Sequence, residues 1–224
     1  MLAFNLLTAL SSVAIFASAA PPPFPALPKL AQCDTSAAKM DLPAGQTALV
    51  APAEAPKFVT IGVGIQNYTC SAATSKYTSI GAVASIFDIS CLAKTPALFK
   101  NVDSMALKMW KAAPASVAAA TLGDKIGAPI QLGHHYFVPS PSGTGISPKW
   151  DFKSGQFVVA AKLANIPAPA DPATNVDWLV LNSVQGDLAS KVFRVDTAGG
   201  QPPSSCTPGS PDIQVKYTAK YFLY

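Results

Sequence analysis

The 224-residue chain contains one arginine, Arg194, among sixteen basic side chains, and one glutamate, Glu54, among twelve acidic ones. A bidentate guanidinium clamp can therefore come only from Arg194, and a pair of catalytic carboxylates must be drawn mainly from aspartates. Histidine is equally scarce: His134 and His135 stand side by side in "QLGHHYFVPS" and are the only two. Neighbours in a strand point to opposite faces, so the pair cannot ligate one metal without a bulge, and no metal or other cofactor is expected. Charged residues make up only 12% of the chain, and the lysines are scattered singly. That pattern argues against a nucleic-acid partner. There is no G-x-S-x-G for a serine nucleophile elbow, and no G-x-G-x-x-G opening a βαβ unit. Beyond the first twenty residues no run is long and apolar enough to span a bilayer, so no membrane association is expected after cleavage of those twenty.

What is present describes a folded, exported protein. Half the residues are hydrophobic, too many for a disordered chain. Leu2 to Phe16 is mostly apolar, and Ala17-Ser18-Ala19 supplies a small-x-small cleavage pattern. Residues 1–20 read as a signal peptide although their amino-terminal part carries no lysine or arginine, and the mature protein is expected to be secreted and extracellular. Cys33, Cys70, Cys91 and Cys206 make an even count, which in a secreted chain reads as two disulfides with three possible connectivities. Asn67-Tyr68-Thr69 is an N-glycosylation sequon, so a glycoprotein is expected. Asn67 shares a face with Ile65, and a glycan there needs a bulge or a sheet end.

Residues 21–56 form a Pro/Ala-rich leader, with a short first strand expected in "LPAGQTALV". From residue 57 to 224 the pattern is that of a single β domain. In "FVTIGVGIQNYTC", Val59, Ile61, Val63 and Ile65 alternate with Thr60, Gly62, Gly64 and Gln66. Strand patterns recur in "YTSIGAVASIFDIS", "PIQLGHHYFV", "KWDF", "GQFVVAAKL", "VDWLVLNSV", "SKVFRVDT" and "VKYTAKYFLY", separated by Pro, Gly, Ser and Asp. One segment differs: Leu98, Val102, Met105 and Met109 recur at helical spacing, with Thr95 at the N-cap and Pro96 first. The expected fold is all-β, a sandwich or barrel of about eight to ten strands with one inserted helix near residues 96–112.

Candidate binding residues follow from scarcity and alternation. His135, Trp150, Asp151 and Arg194 could form the polar floor of a pocket, and Trp150, Trp178, Tyr217 and Tyr221 are candidate aromatic walls. Tyr217 and Tyr221 alternate with Lys216 and Lys220, so the tyrosines face inward if the lysines face water. Val192, Arg194 and Asp196 fall on one strand face, which favours an internal Arg194–Asp196 pair.

The motifs "LGHHYFV", "SPKWDF", "VDWLVLNSVQGDLASKVFRVDTAGGQPPSSC" and "VKYTAKYFLY" together resemble the domain-of-unknown-function family 3455, exported proteins of fungi and bacteria. The likeness runs from about Val59 to the C-terminus. The family pattern falls on Gly133, His135 and Tyr136, on Trp150 and Trp178, on Arg194 to Gly200, and on Tyr217, Tyr221 and Tyr224. The resemblance implies a disulfide between Cys70 and Cys206, the pair bacterial relatives keep, which leaves Cys33 for Cys91. It also implies that the segment from about residue 90 to 129 is a fungal-type insertion. Some fungal members carry a malate dehydrogenase label, which nothing in these residues supports. The expected function is a binding or surface-interaction module for a small or carbohydrate-like ligand, either a small molecule or a cell-wall polymer. The alternative is a small extracellular enzyme using His135 with an aspartate and Arg194. Intact-mass measurement of secreted protein should place the new N-terminus after about Ala19 or Ala20, and a chain still beginning at Met1 would contradict the secretory reading.

Overall fold

A computed structural model describes residues 33–123 and 130–224. The expected signal peptide, the leader up to residue 32 and residues 124–129 of the insertion lie outside the described residues. The strands are β1 (Phe58–Ser71), β2 (Lys76–Asp88), β3 (Gln131–Pro139), β4 (Ile146–Phe152), β5 (Phe157–Ile166), β6 (Trp178–Gly186), β7 (Lys191–Gly199) and β8 (Ile213–Leu223). Each pairs antiparallel with the next, and β8 returns to pair with β1 from Phe58↔Leu223 to Tyr68↔Ile213. Of the two expected architectures, the barrel is the one observed. Closure gives each strand a partner on both sides, although β4 and β5 pair only from Lys149↔Val159 to Asp151↔Phe157 and part there.

The alternation along each strand divides the apolar residues between two cores. Ala84, Ile86, Trp150, Phe152, Leu181, Val192, Tyr217 and Tyr221 pack inside the barrel. Val59, Ile61, Val63, Phe87, Phe193 and Phe222 pack outside it, under the leader and the inserted helix. The apolar face of β1 is thus the outer one, and Thr60, Gly62, Gly64 and Gln66 face inward. The glycines make room: a Cβ on Gly62 would lie 2.5 Å from Cε2 of Tyr221.

The helix α1 (Pro96–Ala112) has the expected bounds, with Thr95 at the N-cap position and Pro96 first. Its buried face differs from the expected stripe. Leu107 and Trp110 are buried and Phe99, Val102 and Ala106 pack beside them, whereas Leu98, Met105 and Met109 are exposed. Hydrogen bonds set this rotation. Trp110 Nε1 donates to the Gly64 carbonyl (2.7 Å), Thr218 Oγ1 to the Asp103 carbonyl (2.7 Å) and Lys216 Nζ to the Trp110 carbonyl (2.7 Å). The lysine also supplies a cation at the helix C-terminus, where the helix dipole favours one.

Three further expectations change. No strand forms in "LPAGQTALV": the Gln46 side chain both accepts from the Leu49 N–H and donates to its carbonyl, taking the groups a strand partner would use. Leu49 is instead a buried plug of the outer core, 1% exposed. Lys220 does not face water. It lies beneath α1, 1% exposed, 2.9 Å from Asp196 and 3.5 Å from Asp103. The Arg194–Asp196 pair does not form, because a register shift between Val195 and Ala198, with Asp196 at φ 47°, turns Asp196 outward to Lys220.

Two disulfides, Cys33–Cys91 and Cys70–Cys206, match the pairing the resemblance implied. The first ties the leader to the short 3-10 segment Ser90–Lys94 beside the helix. The second ties the end of β1 to the connection between β7 and β8. No helix among the described residues is long and apolar enough to cross a membrane.

Burial raises the Asp103 carboxyl above its usual range even though Lys220 opposes the shift. Removing Lys220 alone would strand Asp103 and Asp196 without their cation. Lys220→Met should therefore cost roughly 3–5 kcal/mol in denaturant unfolding, and adding Asp103→Leu should restore part of it. A Lys220→Met protein as stable as the parent would show that the helix is not anchored by this triad.

Candidate functional site

One end of the barrel interior is packed solid by Phe58, Ile86, Phe152, Leu188, Val192 and Leu223. The other end opens as a cavity of about 600 Å³. It lies at the end carrying the β1–β2, β3–β4, β5–β6 and β7–β8 connections, and the Cys70–Cys206 disulfide fastens two of these together.

The floor is a stack of aromatic rings set by register. His135 on β3 pairs with Trp150 on β4, and Arg194 on β7 pairs with Tyr221 on β8, so all four point inward. The His135 and Trp150 rings stack at 4.4 Å and 16°, and Tyr221 meets Trp150 edge-on at 5.3 Å. His135 is 3% exposed, and its Nδ1 lies 3.0 Å from the Lys149 carbonyl. A carbonyl only accepts, so Nδ1 carries the proton and Nε2 keeps its lone pair. Desolvation, helped by the charge of Arg194 and opposed by the Lys149 hydrogen bond, pushes His135 down to about 4, which keeps it neutral in the physiological range.

Arg194 forms the charged part of the wall. Its Nε and Nη2 donate to the Asp177 carbonyl at 3.1 and 2.8 Å. No described residue accepts from Nη1. Phe137, Leu179, Ile146 and Gln66 complete the walls. Tyr68 also lines the cavity, donates to the Gly200 carbonyl at 2.8 Å, and is raised to about 12 by burial.

A family model for a protein of unknown function (DUF3455) matches residues 51–224. The chain belongs to this family. No curated protein and no solved structure matches it. The match begins eight residues before Val59, taking in the last part of the leader.

Within this DUF3455 barrel, the candidate residues separate. His135, Trp150, Arg194 and Tyr221 line one cavity. Tyr217 faces inward but lies behind Tyr221, their hydroxyls 3.0 Å apart, and burial raises both phenols. Asp151 is on the outer face, where its carboxylate accepts from Tyr136 Oη (2.6 Å) and Lys149 Nζ (3.0 Å); the tyrosine bond is the main cause of its lowered pKa. Trp178 pairs with Ile166 and packs in the outer core. One-residue parity is the reason: Asp151 adjoins Trp150, and Trp178 adjoins Leu179, so each falls on the opposite face. Gln66, Tyr68, Phe137 and Leu179 were missed. Each sits an even number of residues from an inward-facing neighbour, a signal available once the inward face is known. Among the described residues no group of three His, Cys, Asp or Glu is placed to hold a metal ion.

Because the unfolded histidine titrates near its usual ~6.5 and the folded one near 4, the unfolded chain binds the extra proton between these values. Stability contributed by neutral His135 is complete above about pH 6.5 and falls as pH drops toward 4, by up to roughly 3 kcal/mol. Urea midpoints at about pH 7.5 and 5 should show this loss in the parent and much less of it in His135→Phe. An equal pH dependence in both proteins would contradict a buried, neutral His135.

Proposed function

We propose that this DUF3455 protein is a secreted β-barrel that binds one small molecule in the mouth of its barrel. The observation that carries the reading is the cavity of about 600 Å³ bounded by His135, Trp150, Arg194 and Tyr221. Eight strands give a barrel interior that either fills with side chains or holds a single small ligand, and here one end fills while the other does not. The volume lies within the range of small-molecule sites, and the lining sets an apolar and aromatic wall beside a comparable share of polar groups that includes His135 and Arg194. A recessed site also favours a small molecule over a wall polymer. Trp150 is 2% exposed and carries His135 on one face, so it offers no open platform for a sugar chain.

The enzyme alternative draws on the same His135 and Arg194. A general base of this kind is usually oriented and strengthened by a carboxylate, but the partner of His135 is the Lys149 carbonyl. Asp177 lines the cavity, and its carboxylate is engaged by Asn165 Nδ2. Binding is therefore the better-supported use of these groups. A dehydrogenase role finds no support either, since every strand pairing among the described residues is antiparallel.

Secretion is part of the same proposal. Two disulfides are typical of oxidising compartments, and the first twenty residues read as a signal. A glycan on Asn67 belongs to the same proposal: a register shift lies between Asn67 and Tyr68, and the half-buried Asn67 side chain would have to turn outward to carry it. Native mass spectrometry of protein from a secreting host should show a non-covalent mass excess that denaturation removes. Ser79→Trp places a large side chain at an exposed position on the cavity lip and should abolish that excess without lowering the melting temperature. A bare polypeptide mass, or an excess unchanged in Ser79→Trp, would contradict the proposal.

A further inference from the structure

Inward-facing polar atoms report what the cavity lacks. Buried polar groups in folded proteins nearly always have a hydrogen-bond partner. Inside this barrel Thr60 Oγ1, Gln66 Nε2 and Trp150 Nε1 are buried without one; Gln66 and Trp150 line the cavity and Thr60 does not. All three can donate. Arg194 adds a fourth donor group, Nη1, because only Nε and Nη2 are occupied by the Asp177 carbonyl. The Tyr217–Tyr221 pair adds a fifth: two phenol protons share one hydrogen bond, so one proton is left over. Against these stand the lone pair of His135 Nε2, the amide oxygens of Gln66, Asn165 and Gln201, the serine hydroxyls at the mouth, which can donate or accept, and the Asp177 carboxylate, which already accepts from Asn165.

The cation itself is selective. Arg194 is the single arginine of the chain, and it is half-buried in a wall whose neighbours are Phe137, Leu179 and Tyr221. A guanidinium with two donors fixed to a carbonyl is held in one orientation, so its remaining edge is a preorganised fork. Its natural complement is a planar oxygen pair bearing negative charge. Lys162 at the rim reinforces the sign of the field, and Asp177 offsets part of it.

Resting on the small-molecule reading above, we infer that the cavity takes a compact apolar monoanion. Its oxygen pair sits on the free edge of Arg194, and its apolar body lies against Phe137, Leu179 and the Trp150–Tyr221 floor. Fatty, aromatic and terpenoid acids share this chemistry. A neutral sugar does not, because it carries no negative charge to meet the free edge of Arg194.

The test is calorimetric titration of the full secreted chain with 2-naphthoate, 2-naphthamide and 2-naphthylmethanol, three probes of one shape and two charges. Naphthoate should bind at least about tenfold more tightly than either neutral probe. Added salt should weaken naphthoate and leave the alcohol unchanged. In Arg194→Gln the preference should shrink to roughly twofold while amide affinity persists, and Arg194→Lys should fall between. If Arg194→Gln does not fold, the salt dependence and probe ranking of the parent still decide. Equal affinities for all three probes, insensitive to salt, would overturn the anion assignment and leave the small-molecule reading standing. Binding of none of them tighter than roughly 1 mM would overturn the anion inference, and the small-molecule reading then stands or falls on the native mass of the secreted protein.

Discussion

Antiparallel pairing between β1 and β8 is the constraint on which the rest depends. It closes eight strands into a barrel and makes inside and outside different places for every alternating residue. Because β1 presents Gly62 and Gly64 at this seam, the inner wall there has almost no side-chain thickness. Tyr221 on β8 fills the space beside Gly62, and at Gly64 the β2 backbone itself closes in, a Cβ there meeting the Val83 carbonyl at 2.1 Å. Tyr221, hydrogen-bonded to Tyr217, in turn supports Trp150 and His135. The floor of the cavity is therefore a consequence of closure, and its position follows from two glycines on one strand.

The outer layer solves a different problem. A barrel whose exterior carries Val59, Ile61, Val63, Phe193 and Phe222 would expose a large apolar surface, and such surfaces aggregate or bind. The leader and the inserted helix cover it. Each is tied down by more than apolar contact: Cys33–Cys91 holds the leader, while Trp110, Thr218, Lys216 and Lys220 fix the helix. None of these groups reaches the barrel mouth. Among the described residues the insertion lines no part of the cavity, which is built from the barrel and its connections.

Much of the fold was legible because its signals are local. Strand alternation, the Thr-Pro helix start and the even cysteine count each depend on neighbours in the chain. Which face of a strand turns inward is not local. Val59 to Ile65 look like a core face, and they are one, but that core lies outside the barrel. The same ambiguity placed Asp151 and Trp178 in the pocket, although each stands one residue from a true lining position. Alternation with Lys216 and Lys220 placed Tyr217 and Tyr221 inward, as observed, although the lysine face is not the wet one. A lysine ordinarily marks a wet face, yet Lys220 is sealed under the helix by two aspartates distant in sequence. The Arg194–Asp196 pair failed at a bulge, a one-residue irregularity that alternation cannot anticipate.

The account makes the barrel mouth, and not the helix-covered exterior, the place where a ligand meets the protein. Two-dimensional NMR on isotope-labelled protein titrated with 2-naphthoate examines this directly. The indole N–H of Trp150, the ring of His135 and the guanidinium of Arg194 should shift together and saturate at one equivalent, while the indole N–H of Trp110 under the helix stays fixed. Shifts confined to Trp110 and the helix, with Trp150, His135 and Arg194 unmoved at saturation, would contradict it.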